Sequence, residues 1–194
     1  MMLCNRHRIT HITRRMTVAA ALIAALCSPA YSASLQIETL RFEEGSLLVN
    51  LSVLNYERTD IIEAVRRGIR VNLTYTIEIV EKSALGFLYA NTVMKKTIQR
   101  SARFDFWNRS YTVREGSAER NTNSESEMLD MLFTLRNQRL DGALRFRSER
   151  FYARFKADMK SVELYFPMNY IFRYFVGFWD FNTGWVRSPA LGDL

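Results

Sequence analysis

The sequence predicts a mainly β fold with two or three short helices, built as a single antiparallel β-sandwich-like domain. Three observations predict it. Several runs alternate apolar and polar residues with a period of two, which is how a strand with one face on a core reads. Turn residues containing Gly separate those runs, and only short stretches carry helical spacing with capping signals. The element order, β-β-α-β-β-β-α-β-β followed by an aromatic segment, suits two sheets packed face to face. One antiparallel sheet covered by the helices, an α+β arrangement, stays open beside it.

The first 33 residues read as a secretory signal peptide, leaving 34–194 as one β-rich domain. Arg6, Arg8, Arg14 and Arg15 precede an apolar run from Val18 to Cys27, and small residues follow around Ser28, Ala30, Ser32 and Ala33. This is the order of regions in an export signal. The run is shorter than the ~20 residues of a membrane span. The net charge of +7 shrinks once the leader is set aside. Four basic residues and no acidic ones lie in it, so 23 basic and 20 acidic residues remain, about +3. The basic balance is therefore partly a targeting signal and gives no ground for nucleic-acid binding.

Cys4, Cys27, His7 and His11 all lie in the leader, so the remaining chain has neither residue type. This excludes a disulfide, a zinc site built on Cys or His, a Cys-His or Ser-His-Asp triad, and haem held by His or Cys. No cofactor and no metal is expected. From Ser34 to Leu194 there are 161 residues, and a domain of that size buries roughly 70% of its unfolded surface. A core can hold it without staples.

In chain order, Leu35 to Phe42 and Leu47 to Leu54 read as a hairpin across Glu43, Glu44 and Gly45, with Leu47, Val49, Leu51 and Val53 on one face. A short helix follows, opened by Thr59 or Asp60, with Ile61, Ile62 and Val65 inward, Arg66 and Arg67 in its last turn and Gly68 beyond. Ile69 to Val80 is the clearest strand, with Ile69, Val71, Leu73, Tyr75, Ile77 and Ile79 on one face. Residues 83–91 form a connection, Thr92 to Trp107 a long strand or two joined at a bend, Asn108 and Arg109 a turn, and Tyr111 with Val113 a return strand. Glu115 to Asn123 reads as an exposed loop. Ser124 and Glu127 fit a capping box, opening a helix over Met128, Met131, Leu132 and Leu135 that ends near Asn137. Leu140 to Phe146 reads as a short strand. From Phe151 the alternation resumes through Met159, and its phase flips at Lys160 and Ser161, predicting a bulge or bend.

The last segment, Phe166 to Trp185, holds nine aromatic residues in twenty and only two formal charges, Arg173 and Asp180. Such a segment is covered by the rest of the fold, covers another protein or meets lipid, because Phe and Trp dominate core and interface energetics. Its turn signals and charges argue against a membrane span. Trp179 to Val186, broken by the turn signal of Asn182, Thr183 and Gly184, reads as a closing hairpin or strand, with a tail from Ser188 and Pro189. Phe172, Arg173, Phe175, Trp179 and Trp185 are the candidate partner or ligand surface.

The hairpin LRFEEGSLLVNLSV, the helix IIEAVRRGI and the strand RVNLTYTIEI together resemble the exported bacterial family catalogued as domain of unknown function 4390. Glu63, Ala64, Val65, Gly68 and Ile69 match its short helix, Tyr111 and Val113 its return strand, and Trp179 with Trp185 its Trp-rich end. Phe166-Pro167 stands where the family has Leu-Pro, and the aromatic segment is expanded. The resemblance implies a periplasmic protein with an envelope role. It brings no catalytic residues, since the family has no established activity.

Among side chains able to do chemistry, paired carboxylates come first: Glu43 with Glu44, Glu125 with Glu127, and Asp158 with Glu163. Each pair also fits a turn, a first helical turn or the wet face of a strand. The densest basic run is Arg145, Arg147, Arg150, Arg154 and Lys156, a candidate patch for anionic lipid or an acidic partner. The expectation is a periplasmic, non-catalytic protein that binds an envelope or inner-membrane protein, with the membrane surface a weaker partner. A carrier of an apolar ligand, and then a carboxylate-based hydrolase, stay open behind it.

Overall fold

Alternating strands whose apolar rows face one another set the architecture. The structure, a computed structural model, describes residues 33–82, 91–161 and 180–194. All of these belong to one compact unit, Ser32–Leu194. Strands β1 (Ser34–Glu43) and β2 (Ser46–Leu54) form the first hairpin, and helix α1 (Arg58–Arg66) follows. Then come β3 (Val71–Glu81), β4 (Asn91–Asp105), β5 (Ser110–Glu115), β6 (Ala118–Thr122), α2 (Glu125–Phe133) and β7 (Thr134–Leu140). A 3₁₀ turn (Ala143–Phe146), β8 (Phe151–Ser161), β9 (Phe181–Asn182), β10 (Val186–Ala190) and a last 3₁₀ turn (Leu191–Asp193) complete the described chain.

The strands make two antiparallel sheets in a sandwich-like arrangement, a small one ordered β1-β2-β7 and a large one ordered β10-β8-β3-β4-β5-β6, with β9 also on β8. The mainly β fold is as the alternation predicts. Strand β3 lies at the centre of the large sheet, and its predicted inward row, Val71, Leu73, Tyr75, Ile77 and Ile79, is fully buried. Against it pack Leu47, Val49 and Leu51 of β2, Phe155 and Met159 of β8, and Met128, Leu132 and Phe133 of α2. Tyr56 stacks on Phe133 with ring centroids 3.9 Å apart.

Strand β2 is more buried than a one-sided strand would be. Leu48 and Ser52 on its second row are also covered, because β1 and β7 flank both its edges and the Ala143–Phe146 turn packs against it.

Both helix ends have local causes. The cap of helix α1 is Glu57, two or three residues before Thr59 or Asp60 and without a side-chain cap bond, so Asp60 sits in the first turn, where an acid favours the helix dipole. Its end follows the sequence signal. Gly68 N–H donates to Val65 O, Ile69 N–H donates to Ala64 O, and Gly68 has φ +85°. These two bonds satisfy carbonyls that the helix leaves unpaired.

At the start of α2, Ser124 Oγ accepts from Glu127 N at 3.4 Å. The reciprocal half of the capping box is relayed. Thr122 Oγ1 accepts from Ser124 N at 3.0 Å and itself donates to the Glu127 carboxylate.

Three boundaries in the middle of the chain differ from the sequence reading. Residues 118–122 form a strand, β6, hydrogen-bonded to β5 across Gly116, although their side chains are mostly exposed. Helix α2 stops at Phe133, and the strand expected over 140–146 lies instead at Thr134–Leu140, pairing with β2. The buried Arg100 draws α2 to its close by donating from Nη1 to Met131 O at 2.8 Å and to Thr134 O at 2.7 Å. In β7 an extra residue is absorbed at Asn137, φ 55°, whose N–H is capped by Asn50 Oδ1 at 2.6 Å.

The closing segment takes the strand reading and not the hairpin. Strands β9 and β10 both pair with β8, one after the other along the same edge. Thr183 bridges the gap, donating its N–H to Ala157 O and accepting Ala157 N–H at Oγ1, each at 3.0 Å. Ser188 and Pro189 belong to β10, where Ser188 Oγ accepts from Ala153 N, and Leu191 beyond them is buried in the core.

The predicted phase flip at Lys160 and Ser161 meets an unbroken register as far as Ser161 opposite Val71. The residues that would show the flip, 162–166, lie outside the described residues, as does the connection 83–90.

Candidate functional site

The two faces of the large sheet are unlike each other. Its inner face is the core, and Tyr75 donates its hydroxyl to Leu132 O at 3.2 Å from within it. Burial raises the Tyr75 pKa well above the ordinary phenol range. The helices lie on this side, where Arg66 Nε donates to Tyr111 Oη at 3.0 Å and Tyr111 Oη donates to Glu125 Oε1 at 3.1 Å. Arg66 also pairs with Glu125 directly. Burial comes first in raising the Tyr111 pKa, with Glu125 adding to it and Arg66 opposing.

The outer face is made by the other row of every strand. Asn72, Thr74 and Thr76 of β3 lie opposite Ser101, Gln99 and Thr97 of β4 on one side and Lys160, Asp158 and Lys156 of β8 on the other. Beyond them stand Arg114, paired with Ser101 in register, and Glu119 opposite Arg114. This floor of hydroxyls and amides holds an open concavity of about 1080 Å³, with Lys156, Lys160 and Arg114 on its walls and Asn182 of β9 at its end.

Charge on this face is unbalanced. Among the described strand residues Lys95, Arg103, Arg114, Arg154, Lys156, Lys160 and Arg187 share it with Glu78, Asp105, Glu119 and Asp158. Asp158 pairs with Lys156 at 3.1 Å, and Glu119 pairs with Arg114 and, at 3.9 Å, with Arg103. Lys160 is exposed and has no ion pair among the described residues.

One corner is locked. Glu78 is only 5% exposed. Its Oε2 accepts from Arg154 Nε at 2.8 Å and Nη2 at 2.6 Å, and its Oε1 lies 3.3 Å from Lys95 Nζ. Burial alone would raise the Glu78 pKa, but the bonds from Arg154 and Lys95 outweigh it and hold the carboxyl below the usual range. The Arg154 guanidinium in turn lies 4.4 Å from the centroid of the Trp185 ring, with Lys156 Nζ at 6.0 Å. A cation over an indole face is a favourable contact. Trp185, 42% exposed, is thereby fixed at the edge of the concavity.

Of the five residues the sequence singled out, the structure places Trp185 at this edge. Phe172, Arg173, Phe175 and Trp179 lie outside the described residues.

The basic run does not form one patch. Arg145 lies over Phe146 and Arg147 over Phe42, Arg147 also donates to Leu194 O, Arg150 pairs with Glu81, and only Arg154 and Lys156 reach the outer face. The candidate carboxylate pairs are engaged separately: Glu43 with Arg41, Glu44 with Arg139, Glu125 with Arg66 and Tyr111, Glu127 with Thr122, and Asp158 with Lys156. Glu163 lies outside the described residues. Among those residues no three His, Cys, Asp or Glu side chains converge as a metal site would need. Nor is any helix among them long and apolar enough to cross a membrane.

Sequence reasoning missed the Glu78–Arg154–Trp185 corner and the exposed pair Phe106 and Trp107. The corner could not be found from spacing, because Glu78 and Arg154 lie on two strands and Trp185 just before a third, far apart in sequence. The aromatic pair had a signal, two large apolar residues directly before a turn.

No curated protein and no solved structure matches this chain. The family model described as a domain of unknown function, DUF4390, matches residues 31–189, and it covers both sheets and the outer face with Trp185. The chain belongs to that family.

Proposed function

We propose that this chain is an exported, non-catalytic protein of the bacterial envelope that docks an acidic segment of a partner protein on the outer face of its large sheet. The observation that carries this reading is the open cationic concavity walled by Lys156, Lys160 and Arg114, with Trp185 held beside it by Arg154. A rigid aromatic shelf next to a surplus of cations, with Lys160 lacking an ion pair among the described residues, suits a protein interface, where Trp and Arg supply most of the binding energy. The polar floor offers hydrogen-bond partners without an apolar pocket, which favours a polar chain over an apolar ligand. The leader read from residues 1–33 supports export. The separate engagement of Glu43, Glu44, Glu125, Glu127 and Asp158, the described members of the candidate carboxylate pairs, supports a role in binding.

The test is affinity capture from envelope extracts with the wild-type chain, a Lys160→Glu/Arg114→Glu variant and a Trp185→Ser variant. The captured set should contain a partner that salt releases and both variants lose. A Phe172→Ser/Phe175→Ser/Trp179→Ser variant asks whether the adjoining aromatic stretch contributes. If the captured proteins are the same for the wild type and the charge-reversed variant, the outer face is not the docking surface.

A further inference from the structure

The β4–β5 turn carries a second surface, at the end of the molecule where α1 also terminates. The turn is Phe106 to Arg109, closed by Asp105 opposite Ser110. Asp105 Oδ1 accepts from Trp107 N at 2.9 Å and Asn108 N at 3.1 Å, and Oδ2 accepts from Asn108 Nδ2 at 2.8 Å. The Asn108 bonds, backbone first, hold the Asp105 carboxyl below its ordinary pKa, so the turn is fixed throughout the neutral range. Phe106 is braced too. It meets Phe104 edge-on at 5.3 Å and lies against Gly68 after α1, where an added Cβ would come within 3.2 Å of its ring. On this fixed base Phe106 is 61% and Trp107 96% exposed.

Arginines surround the pair. Arg67 and Arg70 flank Gly68 in sequence, Arg109 is in the turn, and Arg70 lines a small cleft with Arg103 and Arg114. Glu63 pairs with Arg67, whereas no carboxylate among the described residues pairs with Arg70 or Arg109.

We propose that this turn is a membrane-contact point, in which Trp107 and Phe106 enter the headgroup layer of an anionic phospholipid surface while Arg70 and Arg109 meet its phosphates. Indole rings favour the boundary between water and acyl chains, where one part is apolar and the ring N–H stays wet. The guanidinium rim supplies the charge complementarity, since cationic residues near an anionic bilayer each add to binding. A convex point of two side chains is too small to be the core of a stable protein interface, which takes about 800 Å² from each partner. A lipid surface needs no matching concavity. The bracing by Asp105, Phe104 and Gly68 means that little ordering is left to do on contact.

The test uses the full chain, with the same leader in every variant, on vesicles of phosphatidylcholine alone or with phosphatidylglycerol. In a Trp179→Phe/Trp185→Phe background Trp107 is the sole indole. Its emission should shift to the blue, and be quenched by lipids brominated on the acyl chains, on the anionic vesicles, with high salt reversing both. In co-sedimentation, Trp107→Ser and Arg70→Glu/Arg109→Glu should each lower the vesicle-bound fraction of the otherwise native chain by at least ~tenfold in apparent affinity. Trp107 is so exposed that Trp107→Ser should leave the thermal midpoint unchanged, which separates lost contact from lost fold. An unshifted Trp107, or variants that sediment with anionic vesicles as the wild type does, would overturn the proposal. So would loss of a captured protein from the tip variants with vesicle binding intact, which would make the turn a protein contact.

Discussion

Replacing Glu78 by Gln tests the corner that fixes Trp185. The carboxylate is buried, its Arg154 partner has a side chain 24% exposed, and Lys95 is 59% exposed. The Lys95 contact is largely solvated and contributes little. The two bonds from Arg154 carry the effect, and a charge-assisted bond in such a place contributes about 1.5–3 kcal/mol. An amide retains one acceptor but sets its NH₂ against the guanidinium, so a loss of about 2–3 kcal/mol is expected. For a chain of this size each kcal/mol moves the thermal midpoint by about 2–4 °C, giving a drop of roughly 5–10 °C. A cycle with Arg154→Met in urea should return a coupling of about 2 kcal/mol.

The pH dependence has a definite sign. The folded-state pKa of Glu78 lies below its unfolded value near 4.5, so on acidification the unfolded chain takes up the proton first. The stabilisation is fully present above pH 4.5 and is lost as pH falls through the folded-state pKa. The penalty of Glu78→Gln should therefore shrink in acid. A coupling below about 0.5 kcal/mol, or an equal penalty at neutral and strongly acid pH, would refute the account.

Three further substitutions probe the frame. Arg100→Met removes both bonds to the α2 carbonyls and the pair with Glu115 at 2.6 Å; urea unfolding should show a loss of about 3 kcal/mol, and a loss under about 1 would mean that the helix end finds other partners. Gly68→Ala puts a side chain at φ +85° and presses on Phe106; it should cost about 1–2 kcal/mol and weaken vesicle binding through the displaced turn. Tyr75→Phe leaves Leu132 O without its donor and should cost about 1 kcal/mol by the same unfolding assay.

Where strands carry apolar residues on alternate positions, the sequence is enough to place them. The inward rows of β3 and β8 could be read residue by residue, because a one-residue slip would expose the whole set. Gly68 was legible for a similar reason, since few residues accept its backbone angle. The α2–β7 boundary was not, because Leu135 fits both a helical stripe and a strand's inward row. What decides it is Arg100, some thirty residues earlier and on another strand. Strand β6 hides for a different reason: its residues are exposed on both rows, so pairing with β5, and not burial, makes it a strand. The β9–β10 edge depends on Thr183 and Ser188 completing the bonds of β8, a side-chain contribution that no periodicity records.

The two proposed surfaces meet at Arg114, which walls the concavity and also lines the cleft with Arg70, but their far ends lie at different heights along the same strands and can be tested apart. In β4, Lys95 is ten residues before Asp105, which at about 3.3 Å per residue is about 33 Å. Lys95 shares its row with Glu78, Arg154 and Arg187. Charge on a lipid surface is screened within about 8 Å at physiological salt, so with the Phe106–Arg109 turn in the headgroups, Arg70 and Arg109 feel the membrane and the Arg154–Trp185 corner does not. Arg187→Glu should therefore leave vesicle binding within about twofold of wild type while altering capture of an acidic partner. Arg109→Glu should do the reverse. If Arg187→Glu weakened vesicle binding as much as Arg109→Glu, the chain would be lying with its sheet flat on the bilayer, and the outer face would belong to the lipid contact and not to a protein.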